Sequence, residues 1–150
     1  VCSSDLEIRF HDYRDTYDRF DLPNIKVFKK QIKGLRKLLM IAKPDKAQSR
    51  DLDYLLTLGE LFTLVVYGHL ILEKALMDTT DPDLLNQMFG VFVRDFSGYA
   101  TELYGKPSNS RIQQKMIRKL IKAPEPDMEQ FERVWREHIL ALAGQYEMAD

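Results

Sequence analysis

The side chains of this 150-residue chain that could do chemistry are few and scattered. Asp12, Asp15 and Asp18 stand three apart, and hard divalent cations favour clustered carboxylates. Arg14 and Arg19 are interleaved with them, and no second acidic cluster accompanies them, so a solvated acidic face is the reading taken. The residues three before His11, His69 and His138 are Ile8, Val66 and Trp135. The Glu-x-x-His motif by which helical bundles hold a di-metal centre therefore never occurs. His138, beside Glu137, reads as an isolated titratable group. Cys2 has no setting for nucleophilic catalysis, and the seven glycines are too dispersed for a phosphate-binding loop. Lys115, Arg118 and Lys122 would share a helical face, suited to a phosphate-bearing ligand, another subunit's acids or plain solvent. No residue is assigned a catalytic, cofactor-binding or metal-ligating role. On its own residues the chain does not read as an enzyme.

The elements that would position these groups are all helical, since apolar residues repeat near 3.6 and no strand-like alternation or hairpin signal stands out. Residues 52–77 form the most apolar stretch, with Glu60 the only formal charge between Tyr54 and Leu72. Leu52, Leu55, Leu56, Phe62, Val66, Leu70 and Leu76 recur at steps of three and four, and further apolar groups occupy the other faces. A helix apolar nearly all round is expected to be buried nearly all round. A membrane span competes with that reading, because the run approaches the ~20 residues a bilayer needs. Glu60 and His69 near its middle argue for the core helix of a bundle.

Around it the sequence predicts one-faced helices. Residues 7–21 carry Phe10, Tyr13, Tyr17 and Phe20. Pro23 opens a helix with a stripe of Ile25, Phe28, Ile32, Leu35 and Leu39, which Lys43-Pro44-Asp45 ends. Asp81 and Pro82 start another, with Leu85, Met88, Phe92, Phe96, Tyr99 and Leu103 inward and Gly105 and Pro107 as its stop. Those aromatics read as core rather than as a platform for a flat cofactor. Ser110 and Gln113 have capping-box spacing for a short helix through Lys122, with Ile112, Met116, Leu120 and Ile121 on its apolar side. Asp127 caps the last helix, expected to turn Met128, Phe131, Trp135, Ile139, Leu142 and Tyr146 inward, with Trp135 as a core anchor. The expected fold is all-α, a bundle of four to five mostly antiparallel helices around a central apolar helix.

The formal net charge of -1 gives no general attraction for nucleic acid. A single cysteine allows no intrachain disulfide and fits a reducing, cytoplasmic setting. Lys26, Lys29, Lys30, Lys33, Arg36 and Lys37 lie in a stretch without one acid. Such a helix suits anionic lipid, an acidic partner or solvent beside acidic neighbours. Residues 51–105 hold nine acids against two bases, which favours the last. Residues 1–6, VCSSDL, match the in-frame translation of a sequencing-adapter end. The expectation is that 7–150 is a single helical domain, the C-terminal part of a longer chain.

Three blocks taken in order, LLTLGELFTLVVYGHLILE, DLLNQMFGVFVRDFSGYATELYGKPS, and KMIRKLI with FERVWREHILALAGQYEM, resemble the C-terminal helical region of long bacterial acyl-CoA dehydrogenases. The resemblance covers 52–148. It implies a parent that oxidises acyl-CoA thioesters between the α and β carbons, a glutamate taking the α proton and FAD a hydride. That glutamate usually stands before a glycine; here no glutamate does, and the family's flavin-contacting middle domain is not in the chain. No catalytic residue is carried over, and no cofactor is expected on this portion itself. The implied role is packing or subunit association, with the upstream catalytic domains and a homo-oligomer as partners. An independent helical interaction or ligand-binding module of a regulator, or a peripheral membrane adaptor using the basic helix, are the alternatives.

Overall fold

Polar residues ahead of apolar runs start most of the helices. A computed structural model describes residues 12–145, in which α1 (Tyr13–Tyr17), α2 (Pro23–Ile41), α3 (Leu52–Asp78), α4 (Pro82–Tyr104), α5 (Arg111–Ile117) and α6 (Met128–Val134) follow one another without a strand. Phe10, His11, Cys2, Tyr146 and the 1–6 segment lie outside the described residues. Asp51, Asp81 and Asp127 each accept a backbone N–H in the first turn of α3, α4 and α6, and Ser110 with Gln113 completes the expected capping box. Pro23 and Pro82 occupy first-turn positions of α2 and α4, where a missing N–H costs nothing.

The centre of the fold is the α2–α4 pair. The two run parallel: Asn24 donates from its backbone to Asn86, and seven residues later Gln31 donates from its side chain to Val93 and Ser97. Between those polar ties, Phe28 (0% exposed) sits 5.6–5.7 Å, ring centre to ring centre, from Phe89, Phe92 and Phe96. The α3–α4 pair, joined by a short link, is antiparallel. Asp53 meets Lys106, Thr57 meets Glu102 and Tyr67 meets Phe92, the residue numbers falling on one side as they rise on the other. The link turns at Thr79, held in the left-handed region at φ 54°.

The helix expected at the centre flanks it instead. α3, about 40 Å long, buries one line: Tyr54, Leu58, Leu61, Val65, Gly68, Leu72 and Ala75, at alternating steps of four and three, with Val65 partly covered and the rest buried. Burial nearly all round is not found: Leu52, Leu55, Leu56, Phe62, Val66, Leu70 and Leu76 are all exposed, Leu56 by 61% and Val66 by 58%. The reason is at Gly68. A Cβ there would lie 3.2 Å from Phe28 and 3.3 Å from Phe89 and would collide with the Tyr17 hydroxyl. The glycine lets Tyr17, Phe28 and Phe89 come up against the α3 backbone, and that contact favours this face of the helix as the buried one.

The last helix departs from expectation for a related reason. α6 buries Gln130 and Val134, while Met128, Phe131, Trp135, Ile139 and Leu142 are exposed, Trp135 by 47%. Its hold on α4 is polar: Gln130 donates to Asp83 and accepts from Asn86 and Gln87, and Arg133 pairs with Asp83 at 2.6 Å. Beyond Val134 the chain widens into a π turn, Trp135–Ile139, so the stripe no longer stays on one face. α5 is likewise shorter than expected and tightens into a 3₁₀ turn, Arg118–Leu120. Ile117 and Leu120 are the buried apolar residues of this segment, with Gln113 buried beside them, and Ile112 and Ile121 are exposed.

These polar ties make α6 acid-sensitive. The hydrogen bonds from Arg133 and Gln130 hold the Asp83 carboxyl below its ordinary value of 3.8. A lowered carboxyl contributes stability that is present above its unfolded value and lost as pH falls through the folded one. Acidification below about pH 4 is expected to release α6 early, visible as a change in Trp135 fluorescence. In Asp83→Asn, α6 should be weakly held already at pH 7, with a smaller change between pH 7 and pH 3. An unchanged acid response in that variant would assign the transition elsewhere.

Candidate functional site

Two surface features stand apart from ordinary packing. The first is a groove between α1 and α2. α1 begins at Asp12, which caps it and binds the Arg14 guanidinium; that contact lowers the Asp12 carboxyl to about 2. The far end is pinned from below, because the buried Tyr17 hydroxyl donates to the Val65 carbonyl at 3.0 Å. Burial raises the pKa of that hydroxyl, which keeps it a donor. Lys29 ties the same end to Asp18 at 2.5 Å. Held so, α1 stands off α2 and leaves a hollow of about 470 Å³ over Tyr17, Ile32, Met40 and Ile41. A second hollow of about 450 Å³ adjoins it, sharing Ile32, Arg36 and Met40 and reaching Leu35, Leu39, Phe62 and Val65. The first is rimmed by Arg14, Lys29, Lys33, Arg36 and Lys37 against one acid, Asp18. Arg14 and Lys29 are engaged by Asp12 and Asp18, and Lys26 by Asp21. Lys33, Arg36 and Lys37 have no ion-pair partner among the described residues.

The second feature is the outer face of α3. Besides the seven residues named above, Tyr67 and Met77 are open, and the middle of the face is Gly59 and Thr63, with free space where a Gly59 Cβ would point. α3 is the one described helix long and apolar enough to cross a membrane, with 22% of its most apolar window buried. Two groups tell against a span. Glu60 is exposed at the edge of the face, and His69 is turned to the protein, 3.2 Å from Thr16 and from Glu73.

The polar clusters are structural. Thr16, His69 and Glu73 resemble a hydroxyl–imidazole–carboxylate relay, but Thr16 and Glu73 meet the same ring nitrogen, Nε2, and Thr16 also donates directly to Glu73. A relay needs the acid on Nδ1. The trio clips α1 to α3. His138, read from the sequence as isolated, is not: its Nε2 lies 2.6 Å from Asp81, with Glu137 alongside, the three ligand atoms within 4.8 Å of one another. Asp81 also caps α4, so both of its roles are met by protein donors and the trio ties the π turn to the start of α4.

Asp12, Asp15 and Asp18 do not converge; the first binds Arg14, the last Lys29, and Asp15 borders a small dent with Thr16, Arg19 and Glu73. Of the three cations expected on one face, Lys115 and Arg118 do meet, with Arg111 and Tyr104, around a dent of about 190 Å³. Lys122 lies past the 3₁₀ turn, where its backbone N–H donates to Ser97. Sequence reasoning missed the α1–α2 groove, since a groove depends on how far two helices stand apart. The acid-free run from Lys26 to Lys37 was its trace in the sequence. Compared with protein-family models, curated proteins and solved structures, the chain matches none of them.

Proposed function

We propose that this chain is a non-catalytic helical domain of an acyl-CoA dehydrogenase, which docks through the open face of α3 onto the FAD-bearing part of a longer polypeptide or onto its neighbouring subunit. The observation that carries the docking role is that face: Leu52, Leu55, Leu56, Phe62, Val66 and Leu70 are large, apolar and exposed on a helix whose opposite side packs on the core. Exposed apolar patches larger than a few hundred Å² mark interaction surfaces. The family assignment rests on the three resembling blocks, two of which supply α3 and α4, the antiparallel pair that presents the face. In this reading the domain adds contact area and leaves α-proton removal and hydride transfer to residues elsewhere.

The test is the reading frame upstream of Glu7. A flavin-binding acyl-CoA dehydrogenase body there supports the assignment; a helix-turn-helix or a start codon overturns it. The 150-residue chain alone is expected to purify colourless and to pass no electrons from an acyl-CoA to an acceptor dye. A yellow protein with that activity would contradict the non-catalytic role.

A further inference from the structure

The first hollow between α1 and α2 shares no residue with the docking face of α3, and the second touches that face only at its edge, at Phe62. The floor of the first is apolar and its open rim carries Lys33, Arg36 and Lys37, at spacings of three and four that place them side by side along α2. Among the described residues none of the three has an ion-pair partner, Asp12 and Asp18 reaching Arg36 and Lys33 only at longer range, whereas Lys26, Lys29 and Arg14 each have one. The same groove leaves Met40 and Ile41 uncovered, 72% and 61% exposed. Apolar groups left open beneath unpaired cations call for an occupant with an apolar body and an anionic end.

Size selects among such occupants. The hollow of about 470 Å³ falls inside the range of small-molecule sites, ~300–1,000 Å³. A three-turn helix of ~10 Å diameter would occupy on the order of 1,400 Å³, too much for the space. From Lys29 to Ile41 the groove follows α2 for about 18 Å, the reach of a single alkyl chain of roughly a dozen carbons. A guanidinium flanked by two ammonium groups suits a carboxylate or a phosphate monoester equally, Arg36 as a fork and the lysines as point charges.

We propose that the α1–α2 groove binds a free single-chain anionic amphiphile, its head on Lys33, Arg36 and Lys37 and its chain along Ile32, Met40 and Ile41. Arg36 and Met40 border both hollows, so the chain can continue from the first into the second, toward Phe62 and Val65 on α3. Each methylene taken from water is worth up to about a fourfold gain in affinity until the groove is full. Affinity should therefore climb from decanoate to tetradecanoate and then level off.

The experiment is a titration of the whole chain, labelled with ¹³C at its methionine methyls, with monomeric decanoate, dodecanoate and tetradecanoate. The Met40 signal is expected to shift and saturate, with Met77 on α3 and Met128 on α6 unmoved. Lys33→Glu with Lys37→Glu, two exposed sites, should weaken tetradecanoate at least about tenfold while leaving the helical circular dichroism intact. Four results would each overturn the proposal. Met40 does not move; Met40, Met77 and Met128 move together, as indiscriminate adsorption would make them; the charge-reversed chain binds as tightly; or vesicles of anionic phospholipid shift Met40 where monomeric tetradecanoate does not.

Discussion

Phe28→Ala is expected to cost about 3–5 kcal/mol, a large share of the roughly 5–15 kcal/mol that holds a domain of this kind together. Phe28 is fully buried and touches rings from two other elements: Tyr17 of α1 at 6.1 Å, and Phe89, Phe92 and Phe96 of α4 at 5.6–5.7 Å. Those rings stand on an all-helical frame, are edge-on or tilted to one another, and close over Gly68, so the neighbourhood cannot collapse into the space left. The transfer term and the cavity term therefore add. Trp135→Ala supplies the contrast. It removes the larger side chain, yet one that is half exposed and stacked only on the equally exposed Phe131 at 6.1 Å. Its cost should stay below about 1 kcal/mol. Denaturant midpoints of the two variants decide the matter, and the reverse order would mean that the hub is not where the stability resides.

The contrast also marks how much of the fold was legible. Helix starts were, because an Asp or Ser ahead of an apolar run, or a proline in its first turn, does the same job in any context; Asp81, Ser110 and Asp127 are such cases. One-faced helices were legible too: the stripes of α2 and α4 are buried as their spacing requires, apart from the half-covered Leu39, Met88 and Tyr99. α3 was not. With leucines and valines on every side, its pattern marks no single face, and burial nearly all round was the reading it invited. The deciding signal was small, a mid-helix glycine that only a close neighbour explains. Trp135 misled for a different reason. Its spacing suits a continuous helix, whereas α6 is held by polar groups and opens into a π turn at that residue. Of the site, the acid-free basic run was visible, while which of its cations lack partners and the hollow beneath them were not. The histidine clips join residues 53 and 57 positions apart, a relation that no local pattern encodes.

Charging the α3 face is expected to have the other large effect. Leu56 and Val66 are open and one turn or so from the centre of the face, so lysine at both should change stability by no more than about 0.5 kcal/mol each. Leu64, by contrast, is partly buried against the core, and a charge there would unfold the helix rather than report on the face. If the face is made for docking, an isolated chain has nothing to cover it and must use its own copies. An interface centred on those residues loses about 1–2 kcal/mol for each charge placed in it, so the two together weaken association by at least about thirtyfold. Sedimentation equilibrium of the unmodified chain beside Leu56→Lys with Val66→Lys, without detergent, is the direct measurement. A self-associating parent and a folded, monomeric double variant are the predicted result. A parent that stays monomeric at high concentration would show that the open face of α3 seeks no partner.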